Sequence, residues 1–369
     1  MHKTIIGVGV IGASMDGTWG GTAHLPALQS LPGYRIAAVS TTRQASADET
    51  AQKFDVPHAF ADLHQLVTHP DVDLVTITVK VPEHDRLVRA AVGAGKHVYC
   101  EFPLARSTAE ARDLLQTAET RGIRHFVGLQ ARANPAMAYV KDLILQGYVG
   151  KVLAVHCDYA LPVYPVRSKQ ITASRQYLLD NANGANQLTI TAGHLLDGIQ
   201  YMLGDFTEVS AMLETQARLV QVVETGEHVQ ATSPDHVVIN GILENGAILN
   251  THIRNTYNGS LSLSIHGTEG DLILQSVENN MFQMDSFIVK GTQQSSAVLP
   301  LTIPAHYHLL LPTRMSAGPA LQVAGLYEQI YKDLQNDTSV APSFHTAVKV
   351  HQLLDHVRSS SDTGRRVKL

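Results

Sequence analysis

The sequence predicts an α/β protein of two domains. An N-terminal Rossmann domain with a doubly wound parallel sheet precedes a C-terminal α+β domain with a large, open, mostly antiparallel sheet. Three observations predict this: strand-like and helix-like segments alternate over the first 125 residues, a glycine-rich turn follows the first strand, and hairpin patterns dominate beyond Thr207. The 369 residues suit two domains, which we place at residues 1–130 and 131–369, and we expect the last helix to pack back on the first domain.

The predicted parallel sheet of the first domain alternates with helices in chain order. Its strands are short apolar segments bounded by helical patterns, which indicates strands buried on both faces. Predicted strands occupy residues 4–11, 34–40, 74–79, 97–100 and 125–128. Predicted helices occupy residues 22–31, 46–54, 84–94 and 107–121. Right-handed crossovers between consecutive strands give the doubly wound arrangement.

The second domain is predicted from its hairpins. Segments 236–243 and 247–254 flank Glu244-Asn245-Gly246, in which Asn-Gly is a strong hairpin signal, and segments 260–266 and 271–275 flank a second turn. A strand at 152–159 precedes an irregular stretch at 161–186. Predicted helices occupy residues 135–146, 188–203, 321–334 and 344–359. Apolar residues on the uncovered face of such a sheet predict a homodimer or homotetramer, and we assign Val238, Ile248 and Leu263 to that face.

Composition excludes several classes of protein. The 28 Lys and Arg residues are outnumbered by 33 Asp and Glu residues, so the net charge is −5 and no nucleic-acid partner is expected. Two cysteines cannot build a disulfide framework, and they suit a reducing compartment. No apolar run reaches the ~18 residues of a transmembrane helix. We therefore expect a soluble, cytoplasmic protein with no membrane partner.

The glycine-rich turn predicts a dinucleotide site. The string Gly7-Val8-Gly9-Val10-Ile11-Gly12 matches G-x-G-x-x-G, but it leaves only three strand residues before its first glycine. We favour the later register Gly12-Ala13-Ser14-Met15-Asp16-Gly17, which follows a longer strand and precedes a helix predicted to begin near Thr22. A tight turn at Gly12 and a small Ser14 let backbone N–H groups approach a pyrophosphate. Gly17 and Trp19 complete the predicted cofactor loop.

The end of the second strand predicts which dinucleotide binds. An acidic residue at this point binds the ribose 2′-hydroxyl of NAD. The sequence has Ser40, Thr41 and Arg43 there, with no carboxylate. Hydroxyl groups and a guanidinium suit a 2′-phosphate, so NADP is favoured over NAD.

Several stretches resemble one known family over nearly the whole chain. They are Val10-Ile11-Gly12-Ala13, Ala23-His24-Leu25-Pro26-Ala27-Leu28, Ala94-Gly95-Lys96-His97-Val98, Glu101-Phe102-Pro103-Leu104-Ala105 and Gly193-His194-Leu195-Leu196-Asp197. The family is that of glucose–fructose oxidoreductase, inositol dehydrogenase and the rhizopine-catabolism protein (Gfo/Idh/MocA). The resemblance implies an NAD(P)-dependent oxidoreductase that acts on a carbohydrate-like substrate: a sugar, a polyol or a sugar derivative.

The chain departs from the family pattern at two positions. The family has Glu-Lys-Pro where this chain has Glu101-Phe102-Pro103, and Phe102 cannot donate a proton. The Asp that usually stands four residues before the active-site histidine is Ile190. A subgroup that includes the fungal galactose/lactose regulatory repressor also has an apolar residue at the lysine position, and it resembles this chain at Asp180-Asn181-Ala182-Asn183-Gly184. That repressor binds a dinucleotide but holds a transcriptional activator, so the fold need not imply turnover.

The surviving histidine is the strongest catalytic candidate. Hydride transfer at a sugar carbon needs a group that exchanges the hydroxyl proton. His194 remains from the family's Lys-Asp-His set, and the unperturbed pKa of histidine lies near neutrality. Asp197 follows at helical spacing, near the face that carries Gln187 and Thr191, and is predicted to orient the imidazole. Tyr177 and Asp180, in the irregular stretch, are candidates for a substitute acid or base.

The ends of the third and fourth strands supply the remaining predicted contacts, because parallel sheets bind ligands at the carboxyl ends of their strands. Predicted cofactor contacts there are Val79, Val81, His84, Glu101 and Phe102. Predicted substrate contacts are Lys80 after the third strand, Gln130 and Arg132 where the first domain closes, and Asp180 in the irregular stretch. The 19 histidines show no metal-ligand spacing, so no metal site is expected.

Four functions remain open at this point. The first, which we favour, is a redox enzyme with an unusual proton-transfer set. The second is a dinucleotide-binding regulator like the galactose repressor. The third is an enzyme that uses transient oxidation to enable elimination or glycoside cleavage. The fourth is an imine reductase, in which the substrate nitrogen relaxes the need for the missing lysine.

Overall fold

The structure is a computed structural model that describes residues 4–15, 17–161, 168–278, 281–294, 297–308, 315 and 318–369. Contacts divide the chain into two compact units, Met1–Ala133 with Leu309–Lys349 and Asn134–His308 with Val350–Leu369. The helix Pro319–Asn336 therefore clusters with the first unit, although residues 131–369 were predicted as the second domain. A functional boundary at residue 130 stays a prediction.

The first unit is built on a parallel sheet of six strands. These are β1 (Ile6–Ile11), β2 (Tyr34–Ser40), β3 (His58–Phe60), β4 (Leu74–Ile77), β5 (His97–Glu101) and β6 (His125–Gly128). Their order is β3-β2-β1-β4-β5-β6, and every neighbouring pair is parallel. The strand order reverses between β1 and β4, which is where Rossmann folds bind a dinucleotide. The predicted doubly wound sheet is confirmed.

Helices alternate with these strands. The π-helical turn Gly20–His24 continues as α1 (Leu25–Gln29), and α2 (Gln44–Phe54), α3 (Leu63–Thr68), α4 (His84–Gly93) and α5 (Thr108–Thr120) follow. Helix α5 shows how the sequence sets a boundary: the Ser107 hydroxyl accepts a hydrogen bond from the Glu110 N–H, and the Glu110 carboxylate accepts one from the Arg106 N–H. These bonds satisfy N–H groups that a helix start leaves unpaired.

Strand β3 and helix α3 were not predicted from the sequence. The strand has three residues and the helix has six, so neither shows a periodic apolar pattern. Asp62 marks the start of α3 because its carboxylate accepts a hydrogen bond from the His64 N–H.

The second unit is built on a mixed sheet of nine strands. In chain order these are β7 (Val152–Leu161), β9 (Phe206–Glu214), β12 (His236–Leu243), β13 (Ile248–Asn255), β14 (Ser260–Gly267), β15 (Gly270–Ser276), β16 (Phe287–Gln293), β17 (Leu299–Pro300) and β18 (Val367–Lys368). The order is β17-β16-β15-β14-β7-β13-β12-β9-β18, and only the β13–β7 pair is parallel among the pairs described. The predicted open, mostly antiparallel sheet is confirmed.

The two faces of this sheet differ in burial. Side chains alternate between faces along a strand, so β12 and β13 each have a buried row and a row that is partly or fully exposed. Ile248 is 60% exposed, and Val238 lies in the same partly exposed row. The prediction for Leu263 was wrong: it pairs with Cys157 and is fully buried, because it alternates along β14 with half-buried serines that occupy the opposite face.

The remaining elements of the chain are helices and a small sheet. Helix α6 (Pro135–Leu145) precedes the small sheet, ordered β11-β10-β8, of β8 (Gln170–Ile171), β10 (Leu219–Val222) and β11 (His228–Gln230). The π-helical turn Gln187–Ala192 leads into α7 (Gly193–Leu203), and α8 (Pro319–Asn336) and α9 (Phe344–Thr363) are the last helices. Of the predicted irregular stretch, residues 162–167 lie outside the described residues. Within the described part of the chain, no helix is both long and apolar enough to cross a membrane.

Candidate dinucleotide site and catalytic helix

The turn after β1 has the geometry of the later glycine register. Gly7 and Gly9 lie inside β1, whereas Gly12 follows the strand with a φ of +91°. This conformation favours glycine, and a Cβ at Gly12 would lie 2.6 Å from Cγ1 of Val79. Gly17 also has a positive φ, +71°, and it borders open space. The structure thus places a glycine turn where β1 ends beside β4.

The loop between these glycines is closed by its own hydrogen bonds. The Thr18 hydroxyl donates to the carbonyl oxygen of Ser14 at 2.6 Å. Trp19 is half-buried, and its indole N–H has no hydrogen-bond partner among the residues that the structure describes. A buried donor without a partner is unusual and marks a position that a ligand can satisfy. Asp16, part of the predicted string, lies outside the described residues.

The helix after this loop begins earlier than predicted. It starts at Gly20 as a π-helical turn, not near Thr22. The reason is close packing: a Cβ at Gly20 would lie 2.5 Å from the Thr78 hydroxyl, and one at Gly21 would lie 2.5 Å from the Ser14 carbonyl oxygen. Glycines therefore let this helix start approach the ends of β1 and β4 despite their low helix propensity.

The end of β2 presents one exposed charge. Ser40 and Thr41 are buried, and the Thr41 hydroxyl lies 2.9 Å from the Arg43 carbonyl oxygen and 2.7 Å from the Ser46 hydroxyl. Arg43 is exposed and precedes α2, where no side chain caps the helix. The structure therefore brings the predicted residues together, with the Arg43 guanidinium as the group that solvent reaches.

His84 joins the loops after β4 and β5. One ring nitrogen, Nε2, lies 3.0 Å from the Val79 carbonyl oxygen, and Nδ1 lies 3.0 Å from that of Pro103. Burial lowers the pKa of His84, which is almost fully enclosed. Val81, in the same loop, is also buried. The structure thus gives His84 a bridging role, and its predicted contact with the cofactor stays a prediction.

The carboxylate of Glu101, at the end of β5, is held in place by its neighbours. His24 Nε2 lies 3.0 Å from Oε1, and the Gln130 side-chain amide donates to both carboxylate oxygens at 3.0 and 2.9 Å. A Cβ at Gly128 would lie 2.5 Å from the same carboxylate. Three neighbouring residues therefore fix one charged group at the carboxyl edge of the sheet.

The hydrogen bonds continue from Glu101 into the core. His24 Nδ1 lies 2.9 Å from the hydroxyl of Tyr327 on α8, and that hydroxyl lies 2.9 Å from the hydroxyl of Thr76. We call Glu101, His24, Tyr327 and Thr76 the Glu101 network. Sequence reasoning missed its last three members. The available signal was His24, which stands in a family-like stretch beside a helix start.

The other predicted site residues of this unit differ in how far their side chains are buried. Phe102 is 5% exposed and follows Glu101, joined to Pro103 by a cis peptide bond. Lys80 is exposed, and Arg132 is half-buried in the 3₁₀ segment Gln130–Ala133. An apolar ring thus stands where the family has a cation.

His194 and Asp197 lie on the first turns of α7 in the second unit. His194 is 3% exposed and Asp197 is fully buried. The preceding turn, Gln187–Ala192, is π-helical, which corrects the α-helical spacing assumed for Gln187 and Thr191. A π-helical turn has more residues per turn than an α-helix, and such turns occur frequently at functional sites.

Two side chains of the turn before His194 have polar atoms without partners among the residues that the structure describes. The Gln187 carbonyl oxygen accepts a hydrogen bond from Asn255 at 3.0 Å, but its amide nitrogen has no partner among the described residues. The Thr191 hydroxyl, in a fully buried residue, likewise finds none within the described part of the chain. Buried polar groups are normally hydrogen-bonded, so these atoms mark a specialised segment.

Tyr177 and Asp180 lie in the 3₁₀ segments before this helix. Tyr177 is half-buried, and burial raises the pKa of its phenol. Asp180 is exposed, and its carboxylate accepts a hydrogen bond from the Ala182 N–H at 2.9 Å. Asp180 therefore caps the turn Asn181–Asn183, and a role in substrate binding stays a prediction.

The first unit defines a class of protein. A parallel sheet with this strand order, and a glycine turn of positive φ at the point where the order reverses, is the architecture of dinucleotide-binding Rossmann proteins. Residues 6–129 match the model of the oxidoreductase family with an NAD-binding Rossmann fold, GFO_IDH_MocA, and residues 135–276 match that of the Gal80p C-terminal domain. Residues 6–129 thus match the Gfo/Idh/MocA family, and residues 135–276 match its Gal80-like subgroup.

The curated relatives include both enzymes and regulators. Dehydrogenase aclE of Aspergillus oryzae is 37% identical over 180 residues, which are 48% of each chain. The galactose/lactose metabolism regulatory protein GAL80 of Kluyveromyces lactis is 27% identical over 299 residues, 73% of this chain and 64% of the relative. Levoglucosan dehydrogenase of Pseudarthrobacter phenanthrenivorans is 26% identical over 385 residues, 96% of each. The chain thus spans about half the length of aclE and under two thirds of GAL80.

A solved structure has the same fold. Levoglucosan dehydrogenase in complex with NADH and levoglucosan superposes with a TM-score of 0.84 at 22% identity, and the alignment covers 99% of both chains. At this identity the likeness shows the fold.

Proposed function

We propose that the protein is a nicotinamide-dependent oxidoreductase that transfers a hydride between its cofactor and a sugar, a polyol or a sugar derivative. One observation carries the proposal: His194 follows a π-helical turn in which Gln187 and Thr191 hold buried polar atoms without partners among the described residues. Hydroxyl groups of a carbohydrate are the complement of an amide donor and a threonine hydroxyl. Levoglucosan dehydrogenase, one of the relatives, supports the same class of substrate, and dehydrogenase aclE supports an oxidoreductase.

The first unit fits a dinucleotide. Positive φ at Gly12 and Gly17 and open space at Gly17 suit a loop that meets a ligand. So does the indole N–H of Trp19, which has no hydrogen-bond partner among the described residues. In this proposal Gly12, Ser14 and Gly17 hold the pyrophosphate. The bound nicotinamide supplies the hydride acceptor or donor.

The chain's own residues then exchange the substrate proton and hold the reacting groups in position. His194 takes the hydroxyl proton or returns it, and Asp197 fixes the orientation of the imidazole. Glu101, held by His24 and Gln130, offers a fixed hydrogen-bond acceptor at the carboxyl edge of the parallel sheet. Phe102 can neither hold nor move a proton. Of the family's usual Lys-Asp-His set, His194 is therefore the residue that performs the proton transfer.

We further propose that NADP is preferred to NAD. The exposed Arg43 guanidinium supports this preference, because it lies at the start of α2, where no side chain caps the helix. The segment Ser40–Arg43 at the end of β2 also holds no carboxylate. A positive charge beside a helix N-terminus stabilises a phosphate.

A turnover screen tests the main proposal. Purified protein is incubated with NADP or NAD and a panel of aldoses, polyols and anhydrosugars, and formation of the reduced cofactor is followed by absorbance. The proposal expects turnover on at least one carbohydrate, with alcohols that lack a sugar framework inactive as controls. Absence of turnover in both redox directions on every member of the panel contradicts it.

A second candidate function is supported by Phe102. This buried ring replaces the family's lysine, and the second half of the chain matches the Gal80p C-terminal domain. Both features favour a dinucleotide-binding regulator that holds a protein partner. Tight cofactor binding without turnover on the panel is the result that this candidate predicts.

We also propose a homodimer or homotetramer built on the exposed face of the nine-stranded sheet. Met212 on β9 is 55% exposed and Ile248 on β13 is 60% exposed, and such apolar side chains on one face favour burial against a second copy. Light scattering at micromolar concentration is expected to give at least twice the mass of one 40.0 kDa chain. A cytoplasmic location is proposed on the two cysteines, which are both buried free thiols.

A further inference from the structure

Two histidines and an aspartate converge at one edge of the parallel sheet. His58 is the first residue of β3, His69 follows α3, and Asp71 lies in the turn that leads to β4. All three are half-buried, and one ligand-type atom of each lies within 4.8 Å of those of the other two. We call these residues the His58 cluster. Their spacing in sequence, eleven residues and then two, follows no familiar metal-binding motif.

The distances in the His58 cluster differ from those of hydrogen bonds. Nε2 of His58 lies 3.7 Å from Oδ2 of Asp71, beyond hydrogen-bond length. Zinc with bonds of about 2.0–2.2 Å in tetrahedral geometry separates its ligands by about 3.3–3.6 Å. The two imidazole rings have centroids 4.0 Å apart and are tilted by 42°. The His58 and Asp71 atoms therefore need to approach by only a few tenths of an ångström to share one ion, and the ligand-type atom of His69 lies within 4.8 Å of both.

The backbone holds the cluster in place. The carbonyl oxygen of Asp71 packs so closely on β1 that a Cβ at Gly7 would lie 1.9 Å from it. The Gly7 N–H donates to the Asp73 carboxylate at 3.0 Å, which fixes the same turn. The Asp71 N–H donates to Nδ1 of His69 over a long 3.3 Å, so this weak bond is the contact that an ion at Nδ1 replaces.

One neighbouring charge opposes a cation. Arg35 lies 3.7 Å from Oδ1 of Asp71, the oxygen that does not face His58. The guanidinium leaves Oδ2 available, but its positive charge reduces the affinity of the cluster for a metal ion. Removal of this charge therefore gives a test with a defined sign.

A second group of the same residue types serves as a comparison. Glu119, His125 and His345 also place ligand-type atoms within 4.8 Å of one another. There, however, Nε2 of His345 is already 2.9 Å from Oε1 of Glu119, and Nδ1 of His125 accepts the Phe344 N–H at 3.2 Å. A cation would have to break a formed ion pair as well as a hydrogen bond, so this group is the weaker candidate.

We propose that His58, His69 and Asp71 bind a divalent transition-metal ion, with zinc as the representative, and that water completes the coordination. Two imidazoles and one carboxylate suit zinc and its neighbours and disfavour magnesium and calcium, which prefer oxygen ligands. The bound ion joins β3, an edge strand of three residues, to the end of α3 and to the turn before β4. The site is therefore structural, and it is independent of the oxidoreductase proposal.

Titration of the metal-stripped full chain with zinc alone tests the proposal. Calorimetry is expected to show one saturable site that is lost in His69→Ala and Asp71→Asn, with affinity lowered at least about tenfold. His345→Ala, in the comparison group, should retain the site. Arg35→Ala should bind zinc more tightly than the unmodified protein does. Magnesium should give no saturable binding.

A second readout separates binding from misfolding. Cobalt, added instead of zinc, should give the visible absorption of a low-symmetry nitrogen and oxygen site in the unmodified protein and in His345→Ala, but not in His69→Ala. The melting temperature should rise with zinc concentration only where the site is intact. Equal zinc affinity in the unmodified protein and in a folded His69→Ala variant overturns the proposal, as does weaker binding in Arg35→Ala.

Discussion

Nε2 of His24 lies 3.0 Å from Oε1 of Glu101, while Nδ1 of the same ring lies 2.9 Å from the Tyr327 hydroxyl. With Glu101 ionised and the ring neutral, only one order of protons satisfies both contacts: Nε2–H donates to the carboxylate and the tyrosine donates to Nδ1. Thr76 then donates to the tyrosine oxygen. The network thus has a fixed direction that ends on Glu101.

Replacement of the bridging ring should destabilise the fold. His24→Phe keeps a ring but leaves the Tyr327 hydroxyl and the Glu101 carboxylate each short of a buried partner, so the free energy of unfolding should fall by about 1–3 kcal/mol. Urea denaturation measures this change. The control is His228→Phe, at an exposed position, where the change should stay within about 0.5 kcal/mol. Equal effects of the two substitutions would show that the network contributes nothing.

The position of the Glu101 carboxylate should depend on Gly128. In Gly128→Ala the added Cβ would lie 2.5 Å from that carboxylate, so Glu101 must move away from Gln130. Loss of one charge-assisted hydrogen bond, about 1.5–3 kcal/mol, should weaken dinucleotide binding by about 10- to 100-fold if Glu101 contacts the cofactor. Gly93→Ala is the control, because a Cβ there meets nothing within 4 Å. Calorimetric titration that finds both variants unchanged removes Glu101 from the cofactor site.

The preference for NADP should reside in one side chain. Arg43→Ala removes the exposed guanidinium at the start of α2, and it should cost NADP about 1.5–3 kcal/mol of binding free energy while NAD is unaffected. Lys53→Ala, at the other end of the same helix, should change neither affinity. An unmodified protein that binds both dinucleotides equally well refutes the preference.

Local patterns in the sequence predicted most of the fold. β2 and β12 occupy residues 34–40 and 236–243 as predicted, because each is a continuous alternating or apolar segment with a clear turn at its ends. β3 was missed because three half-buried residues carry no period. The π-helical turn before α7 was missed because helical propensity does not distinguish π from α.

The site was predictable only where chemistry is local. Gly12 is marked by its position after a strand, and the structure gives it a positive φ. Tyr327, by contrast, is hydrogen-bonded to His24, which lies 303 residues away in the chain. A local sequence pattern cannot predict a contact between such distant residues. The His58 cluster could not be predicted from the sequence for the same reason, because a short edge strand and a turn bring its members together.

Acid should destabilise the protein through His125. Nδ1 of this ring accepts the Phe344 N–H at the start of α9, and burial together with the nearby His345 lowers its pKa to about 4. Above pH about 6.5 the ring is neutral in both folded and unfolded chains. Between pH 6.5 and 4 the ring is protonated in the unfolded chain but stays neutral in the folded chain. The free energy of unfolding therefore falls across this window by at most about 3 kcal/mol.

A substitution isolates this contribution. His125→Asn retains an acceptor but cannot be protonated, so the loss of stability between pH 6.5 and 4 should become smaller, without disappearing because burial also lowers the pKa of His84 and His97. Chemical denaturation at several pH values provides the measurement. His228→Asn, at an exposed position, should leave the pH profile as it is. A profile for His125→Asn that matches the unmodified protein contradicts the assignment.

The most direct test of the central claim is the turnover of His194→Ala on a carbohydrate that the unmodified protein oxidises or reduces, measured together with cofactor affinity. If His194 exchanges the substrate proton, kcat should fall by about 10²–10⁴-fold while the Kd of the dinucleotide stays unchanged. Full turnover in the variant would contradict this and transfer the role to Tyr177, Asp180 or Lys80. An unmodified protein that binds NADP tightly yet turns over no carbohydrate would contradict the enzyme itself and favour the regulator.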